Sequence, residues 1–573
     1  MPLRTFLADA LAAVLRRRVR AALPLLVAAV VGAGIPSPSF ARDGELAIGI
    51  TQYPSTLNPL IDAMLSKSYV LGLAYRPVTT YDADWKLVCV LCTELPSIEN
   101  GRAVPVDLEG GKRGINLTYT IRPDATWGDG RPVTTEDVMF SYDVGRNPLT
   151  GVPGREVYDR ISRIDVQDEK TFTLHLNKLI FNYAANTFDL LPAHLERAAF
   201  TDPAQYRTRS LYVTDPTNPG LYNGPYRIAE VVPGSHIALE RNAAWKGPKP
   251  PFDRIVVRSI ENTAALEANL LSGQLDMISG EAGIPLDQAL AFEKRNGDRF
   301  TILYKPGLSY EHIDLNLDNP VLRDRRVRQA LLYGLDRETI NRKLFAGRQP
   351  VADTFVNPLD WVHTAEGVQH YAYDPAKAKA LLDEAGWTVR AGGGSDIRVN
   401  AQGDRLSFDL STTAGNRSRE AVAQVVQSQW RQLGIDARLR NEQPRVLFGE
   451  TLPRRRFDAA MFAWISAPES VPRTTLHSTE IPRAENGYGG QNSTGFANPE
   501  MDGLIDAIEV ELDREKRAAL WRRVQQIYAD DLPVLPLYFR ADPYILPKWL
   551  KGVTPTGHLA PTTLWVETWR VEK

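Results

Sequence analysis

The sequence has 573 residues, more than a single hydrophobic core usually supports, so we expect two or more domains. With 43% hydrophobic and 24% charged residues, the composition is that of an ordinary globular protein and excludes a fibrous or disordered chain. The formal net charge of −2 combines +4 from residues 1–41 with −6 from the remainder, and an acidic main body argues against a nucleic-acid partner.

The first 41 residues have the pattern of a secretory signal peptide. Four arginines at positions 16–20 precede an apolar run over residues 21–35, and Ser39 and Ala41 are small residues where signal peptidase cleaves. The alternative is a membrane anchor, but about fifteen apolar residues interrupted by proline and glycine are fewer than the ~20 needed to cross a bilayer. No cysteine lies near Ala41, so the sequence does not support a lipid anchor. We therefore predict cleavage after Ala41 and a mature protein in the periplasm.

The next elements are a strand at residues 45–51 and a loop that the prolines at 54 and 59 define. Tyr53 and Asn58 lie in this loop, and its prolines are typical of a rigid surface turn.

Cys89 and Cys92 allow three interpretations. The oxidising compartment favours a structural disulfide, and free thiols are the second interpretation. Because residues three apart on an extended strand lie about 10 Å apart, a disulfide here requires a turn or bulge. Redox catalysis, the third interpretation, is disfavoured because Thr-Glu-Leu-Pro follows where a redox motif has a helix.

A strand and a helix are predicted on either side of Trp127. Residues 115–121 alternate as a strand, and Gly128-Asp129-Gly130 then forms a tight turn. Thr134 is the expected helix cap, and the acidic residues at 136 and 137 lie in the first turn, where the helix dipole favours anions. Each residue of this motif thus has a backbone role, so we expect it to be structural.

Residues 255–278 have a strand, helix, strand order, with Asn262 or Thr263 as the helix cap and Gly273 at its end. This order predicts a partly parallel sheet that helices cover. The chain is therefore expected to be α/β in class.

The second half begins with residues 310–338. Residues 312–317 alternate as a strand, residues 318–320 have turn chemistry, and residues 327–334 follow helical spacing. A second α/β unit follows, with a strand at 408–411 and a helix that Ser418 is predicted to cap. Residues 459–465 form a continuous apolar strand suited to the centre of a sheet.

Several of these segments resemble the bacterial extracellular solute-binding proteins of the dipeptide and oligopeptide family, family 5. The most specific is WGDGRPVTTEDV from Trp127, and YEHIDLNLDNPVLRDRRVRQALLYGLDRE from Tyr310 is similar to the segment by which that family enters its second lobe. Gly224-Pro225-Tyr226 and the segment Pro-Val-Leu-Pro-Leu-Tyr at 533–538 also have counterparts. The resemblance covers almost all of residues 42–573.

The resemblance implies a two-lobe periplasmic binding protein fold with an extra subdomain in the first lobe. Lobe I would comprise residues 42–76, 211–308 and 537–573, its subdomain 77–210, and lobe II 309–536. Crossing segments near 308–312 and 533–538 would form the hinge, and ligand would bind between the lobes. The implied partners are a peptide or small-molecule ligand and the permease subunits of an inner-membrane ABC importer. We expect a monomer without a cofactor.

Candidate ligand-binding residues lie at strand ends and loops that face the opposite lobe. They are Tyr53 and Asn58 in the first lobe, and Asn416, Arg417, Trp464, Ser466 and Glu469 in the second. Trp464 lies at the end of a predicted strand, and the alternative interpretation is that its side chain packs in the core.

This sequence differs from peptide-binding members of the family at one position of the candidate site. Peptide-binding relatives carry an aspartate three residues after the matching tryptophan, where it pairs with the peptide's α-amino group, and Ala467 stands there in this sequence. Glu469 is the nearest replacement carboxylate, although Pro468 restricts the backbone that would bring it there.

Three alternatives to a peptide-binding transport protein stay open, the last being a binding protein that serves as a sensor or chaperone partner. The first is a binding protein for another solute of the family's range, such as an opine, a sugar or a metal chelate. The second is an exported hydrolase, but the sequence has no G-x-S-x-G, H-E-x-x-H or Walker A motif. The eight histidines are scattered, which disfavours a metal site.

Overall fold

The computed structural model describes residues 44–572 except 63, 154, 390–395 and 487. The predicted signal peptide lies outside these residues. The strands are β1 (Glu45–Ile50), β2 (Thr79–Tyr81), β3 (Leu87–Cys89), β4 (Ala103–Asp107), β5 (Arg113–Thr120), β6 (Ile161–Val166), β7 (Thr171–Leu176), β8 (Tyr226–Val232), β9 (His236–Arg241), β10 (Arg254–Ser259), β11 (Met277–Ile278), β12 (Phe300–Leu315), β13 (Ser407–Thr413), β14 (Asp436–Glu442), β15 (Ala459–Ile465), β16 (Val534–Pro547), β17 (Leu550–Lys551) and β18 (Arg570–Val571).

Helices cover the strands and fill the connections between them. They are α1 (Leu65–Ala74), α2 (Thr135–Arg146), α3 (Glu156–Asp159), α4 (Ala193–Glu196), α5 (Tyr206–Arg209), α6 (Leu211–Thr214), α7 (Thr263–Leu271), α8 (Leu286–Asn296), α9 (Arg325–Tyr333), α10 (Arg337–Phe345), α11 (Pro375–Glu384), α12 (Arg417–Gln432), α13 (Pro444–Val446), α14 (Arg473–Leu476), α15 (Pro499–Val510) and α16 (Arg514–Asp531). No described helix is long and apolar enough to cross a membrane.

A ten-stranded mixed sheet organises the molecule, in the order β14-β13-β15-β12-β16-β11-β1-β10-β9-β8. On one side β1 pairs in parallel with β10 and β11, as the strand, helix, strand pattern predicted. On the other side β13 pairs in parallel with β14 and β15. The apolar strand predicted at 459–465 is β15, and its position inside the sheet explains its lack of alternation.

The two longest strands, β12 and β16, join the two sides of this sheet. They are antiparallel over 16 and 14 residues, with a register shift between Pro306 and Tyr310. The prediction that this strand begins at His312 was wrong, because β12 begins at Phe300. Lys305-Pro306-Gly307 has the composition of a loop, but the proline is tolerated where the ladder is irregular.

The strands β4, β5, β7 and β6 form a separate sheet, and the tryptophan motif lies in the segment between β5 and α2. Trp127 is fully buried and donates its indole N–H to Asp137 Oδ2 at 3.0 Å. The same oxygen accepts the backbone N–H of Thr134 at 2.9 Å in a capping box, and Oδ1 accepts that of Ala193 at 2.8 Å. One carboxylate thus fixes α2 to α4, so the motif has a structural role.

Cys89 and Cys92 are joined in a disulfide with a Cα–Cα distance of 5.2 Å. Cys89 is the last residue of β3, and the chain bends before Cys92 forms an isolated bridge with Ile121. This bend supplies the departure from an extended strand that the three-residue spacing requires.

The cap predicted for α12 lies two residues earlier than expected. Asn416 Oδ1, and not Ser418, accepts the backbone N–H of Arg419 at 3.0 Å. Both residue types are good caps, but only Asn416 precedes the first helical residue. The Ser418 hydroxyl instead donates to Asp287 in α8 at 3.1 Å.

Candidate functional site

A cavity lies against one face of β12, and we call it the aromatic cavity. It encloses about 990 Å³ that no protein atom fills, part of it open to solvent. Side chains from β12, from the end of β15 and the chain after it, from residues 355–362 and from α16 surround it. Its principal lining residues are Leu308, Tyr310, His312, Asp314, Phe355, Asn357, Asp360, Trp464, Ser466, Ala467, Glu469, Trp521 and Tyr528.

The floor of the aromatic cavity is a packed set of rings. Tyr310 stacks on His312 with ring centroids 5.0 Å apart, and its hydroxyl lies 2.9 Å from that of Tyr528. His312 in turn meets the edge of Phe462 at 4.6 Å. These residues are almost fully buried, so their rotamers are fixed by packing and the floor is preformed.

Trp464 forms one wall of the aromatic cavity. Its ring packs edge-on against Phe462 at 5.3 Å, and the side chain is only partly buried, so one part of the indole faces the cavity. The backbone N–H of Ser466 donates to the carbonyl of Leu308 at 3.3 Å, which holds the end of β15 against β12. Trp464 and Ser466 therefore both line the aromatic cavity, and Trp464 is not closed off in the core. Their role in ligand binding stays a prediction.

Glu469 also lines the aromatic cavity. Its backbone has a φ of 59°, in the left-handed region that is uncommon outside glycine, and this conformation turns the chain after Pro468. The indole N–H of Trp361 donates to Glu469 Oε1 at 2.6 Å. Burial raises the pKa of Glu469 despite that hydrogen bond and the charge of Arg517.

Asp360, which the sequence did not single out, lies beside Glu469. Its Oδ2 accepts the backbone N–H of Glu469 at 3.4 Å, and its Oδ1 accepts that of Val362 at 3.2 Å. Burial raises the pKa of Asp360 as well. Two close carboxylates that are both partly desolvated form a site where a ligand cation would be stabilised. No sequence pattern joins Asp360 to Glu469, since 109 positions separate them.

Tyr81 brings the first part of the chain to the same carboxylates. It lies in β2, and its pKa is raised by burial and by the charges of Glu469 and Asp360. Its ring also meets that of His558 at 6.3 Å. A ligand beside Glu469 would therefore have segments from both halves of the chain within reach.

The loop residues predicted in the first lobe are not among the residues that line the aromatic cavity. Asn58 is fully buried and donates to Ser210 Oγ at 3.0 Å, so its amide is used inside the protein. Lys67 donates to carbonyl oxygens of the same loop, including Asn58 O at 3.2 Å and Ile61 O at 2.8 Å. Tyr53 is half-buried against the core of this part of the molecule.

Asn416 and Arg417 are also separate from the aromatic cavity. Asn416 caps α12 and lines a different cavity, described below, and Arg417 is exposed at the start of the helix. The sequence correctly placed both after a strand of the second half, but it could not show toward which face of the sheet the helix begins.

Comparison with known proteins gives one matching family model, described as bacterial extracellular solute-binding proteins, family 5, over residues 112–481. The oligopeptide-binding protein AppA of Bacillus subtilis is 25% identical over 516 residues, covering 89% of each chain.

Solved structures extend the match to most of the chain. An oligopeptide-binding protein from Thermus thermophilus, complexed with a pentapeptide, is 30% identical and covers 93% of this chain and 97% of its own, with a TM-score of 0.69. AppA in complex with a nonapeptide has a TM-score of 0.68 at 25% identity, covering 92% and 99%. NikA from Brucella suis, in complex with Fe(III)-EDTA, has a TM-score of 0.75 at 20% identity, covering 92% and 100%, and shows the fold alone. The predicted α/β binding-protein fold is thereby confirmed.

Proposed function

This chain belongs to the bacterial extracellular solute-binding proteins of family 5, and from that premise we propose that it captures a peptide and delivers it to an inner-membrane ABC importer. The relatives from Thermus thermophilus and Bacillus subtilis, whose structures contain peptides, support this proposal. The family is one of solute-binding proteins, and we propose that this chain likewise catalyses no reaction.

The observation that carries the proposal is the combination of an aromatic floor with two carboxylates at one end of the aromatic cavity. A peptide's free α-amino group is a cation, and burying it without a counter-charge costs several kcal/mol. Ala467 supplies no carboxylate, whereas Asp360 and Glu469 both line the cavity. We propose that these two residues replace the aspartate that peptide-binding relatives carry at the position of Ala467.

Ala467 also favours a second candidate, a solute without an amine, such as a sugar or a metal chelate. In that case Trp464 and the aromatic floor would supply most of the contact. Native mass spectrometry of freshly purified protein separates the candidates, because it weighs any co-purified solute. We expect one peptide bound to one monomer, and a bound mass that matches no peptide would refute the main proposal.

The domain division remains a proposal. We propose lobe I at residues 42–76, 211–308 and 537–573, its subdomain at 77–210, and lobe II at 309–536. The continuous strands β12 and β16, which pair with strands of both sides of the sheet, support a hinge there.

Ligand binding should then close the lobes by rotation at β12 and β16, with little change inside each lobe. Small-angle X-ray scattering of ligand-free and saturated protein should show a smaller radius of gyration in the bound state. Protein first unfolded and refolded to remove co-purified solute serves as the ligand-free sample. An unchanged radius at saturation would contradict closure.

We also propose that the mature protein works in the periplasm after removal of residues 1–41. The extracellular character of the family supports export in general. Expressed with its leader in a Gram-negative host, the protein recovered from the periplasm should begin at or near Arg42. N-terminal sequencing that finds residues 1–20 intact would count against this proposal.

A further inference from the structure

A second cavity lies on the other face of β12, and no part of the proposed peptide site uses it. Tyr310 and His312 face the aromatic cavity, and Glu311 between them faces this second cavity, because successive strand residues point to opposite faces. It encloses about 820 Å³ that no protein atom fills, part of it open to solvent. The segment after β11, the segment after α10, the start of α12 and residues 540–543 of β16 line it.

The side chain of Gln349 provides the first sign of a missing partner in the second cavity. The residue is only 4% exposed and lines the cavity, yet its Oε1 has no hydrogen-bond partner among the described residues. A buried amide oxygen without a donor costs on the order of 1–3 kcal/mol. A native protein rarely leaves such a group without an explanation, and a ligand donor is one.

Asp542 provides the second sign. Its carboxylate lines the same cavity, and among the described residues it makes no hydrogen bond and no ion pair within 4 Å. Arg540, two residues earlier, is held by Glu311, to which its Nε donates at 2.8 Å. Lys305, opposite Asp542 in register, directs its ammonium to the carbonyl of Ala83 at 3.4 Å. The nearby cations are therefore engaged elsewhere.

Glu281 adds a second carboxylate on the same side. Its Oε1 accepts the backbone N–H of Thr562 at 2.8 Å, which fixes the side chain at the cavity. Burial and the charge of Glu281 raise the pKa of Asp542 to about 7, while Arg540 opposes the shift. Two like charges are thus held together in a partly desolvated place, and a bound cation would relieve their repulsion.

The rest of the lining decides the class of cation. No cluster of three or more acidic, histidine or cysteine residues within the described part of the chain could hold a metal ion. Instead Ile284, Leu286, Phe345 and Pro543 surround the polar groups with apolar surface. A cationic head with an apolar body fits such a lining, since the body would displace water from these side chains.

We propose that the second cavity is a binding site for a small organic ammonium ion. The ammonium group binds between Asp542 and Glu281 and donates to Gln349 Oε1, and the apolar body packs against Phe345 and Leu286. This inference is independent of what the aromatic cavity binds.

The test uses n-butylamine hydrochloride as the cation and 1-butanol as its neutral isostere. Dissociation constants come from ligand-observed NMR titrations of the purified protein at pH 8. The wild type should bind the ammonium ion saturably and at least about tenfold more tightly than the alcohol. The reason is that the ammonium ion, unlike the neutral alcohol, forms ion pairs with the carboxylates. Failure of the wild type to bind it saturably would overturn the proposal.

Substitutions locate the bound ammonium ion. Asp542→Asn should weaken binding of the ammonium ion by at least about tenfold. Gln349→Leu, which removes the hydrogen-bond acceptor, should weaken it by about threefold. Asp298→Asn makes the same charge change at an exposed position and should have no effect, and Trp464→Ala should also leave the affinity unchanged. Unchanged affinity in Asp542→Asn, or in Gln349→Leu if the first variant does not fold, overturns the proposal. So does a loss in Trp464→Ala, which would place the amine in the aromatic cavity.

The pH dependence gives an independent readout. Asp542 must be ionised to attract the ammonium ion, so affinity should rise by roughly tenfold from pH 6 to pH 8 in the wild type and stay flat in Asp542→Asn. The charged and titratable groups that face Asp542 are Glu281, Arg540, Lys305 opposite it in register, Tyr544 and, farther along the wall, Glu311 with Arg419. A flat profile in the wild type would contradict the role of Asp542.

Discussion

Replacing Glu311 with glutamine should lower the free energy of unfolding by about 3–5 kcal/mol, the largest stability effect that we expect from one residue. Glu311 is completely buried, and it accepts hydrogen bonds from Arg419, whose Nη2 lies 3.2 Å from Oε2, and from Arg540 Nε at 2.8 Å. Without the carboxylate, two arginines at the junction of the two halves lose their counter-charge. Urea unfolding followed by circular dichroism measures the change.

Glu450→Gln is the matched control. Glu450 forms an exposed ion pair with Arg454 one helical turn away, and such pairs contribute about 0–1 kcal/mol. A loss of less than about 1 kcal/mol in Glu311→Gln would contradict the proposed importance of the buried group.

The stability difference between Glu311→Gln and the wild type should also depend on pH. Burial alone would raise the pKa of Glu311, but Arg540 and Arg419 outweigh it and hold the pKa below its usual value. The carboxylate therefore contributes stability above the pKa of the unfolded chain, and this contribution is lost as the pH falls through the lower pKa of the folded state. The wild type and the variant should thus become similar in stability as the pH falls below about 4.5.

The second large effect concerns ligand affinity. If the ligand is a peptide with a free N-terminus, Glu469→Gln should weaken binding by about 2–4 kcal/mol and leave stability almost unchanged. Glutamine keeps an oxygen that can accept from Trp361 Nε1, so the local structure survives while the charge is removed. Calorimetry with a peptide and its N-acetylated form measures the effect, since only the free amine needs the carboxylate.

Trp464→Ala separates the charge from the aromatic contact. This substitution should weaken both peptides by about 1–3 kcal/mol, because it removes stacking and apolar contact and no charge. Asp360→Asn should affect the free amine alone, as Glu469→Gln does. Unaltered affinity in both Glu469→Gln and Trp464→Ala would refute the placement of the ligand in the aromatic cavity.

Local signals were sufficient for those parts of the fold that local chemistry determines. The apolar run of β15 and the Asn262 cap of α7 are features of short segments, and the structure has both as predicted. The start of β12 was missed because its pairing partner, β16, lies more than 200 residues later in the chain. A proline and a glycine inside β12 conceal a strand that only this partner defines.

The same limit applies to the candidate site. Trp464 lies near the end of β15 and Ser466 and Glu469 follow that strand, so their shared position could be inferred from it alone. Asp360 lines the aromatic cavity from a distant loop, and Tyr81 in β2 lies where the charges of Glu469 and Asp360 act on it. No spacing in the sequence indicates either position. Asn58 is a polar loop residue of the kind expected in a ligand cleft, but its amide donates hydrogen bonds to Tyr206 and Ser210 inside the protein. Only the folded structure shows these contacts.

The alternation along β12 restricts how this family member can change its length in evolution. An insertion or deletion that shifts Tyr310, Glu311 and His312 by one position in their regular pairing with β15 would turn Glu311 toward the aromatic floor and the other two side chains toward the arginines. A change of one residue would thus disrupt the lining of both cavities. Changes of two residues preserve both faces, so gaps in this segment should occur in pairs when related sequences are aligned, whatever solute each relative carries.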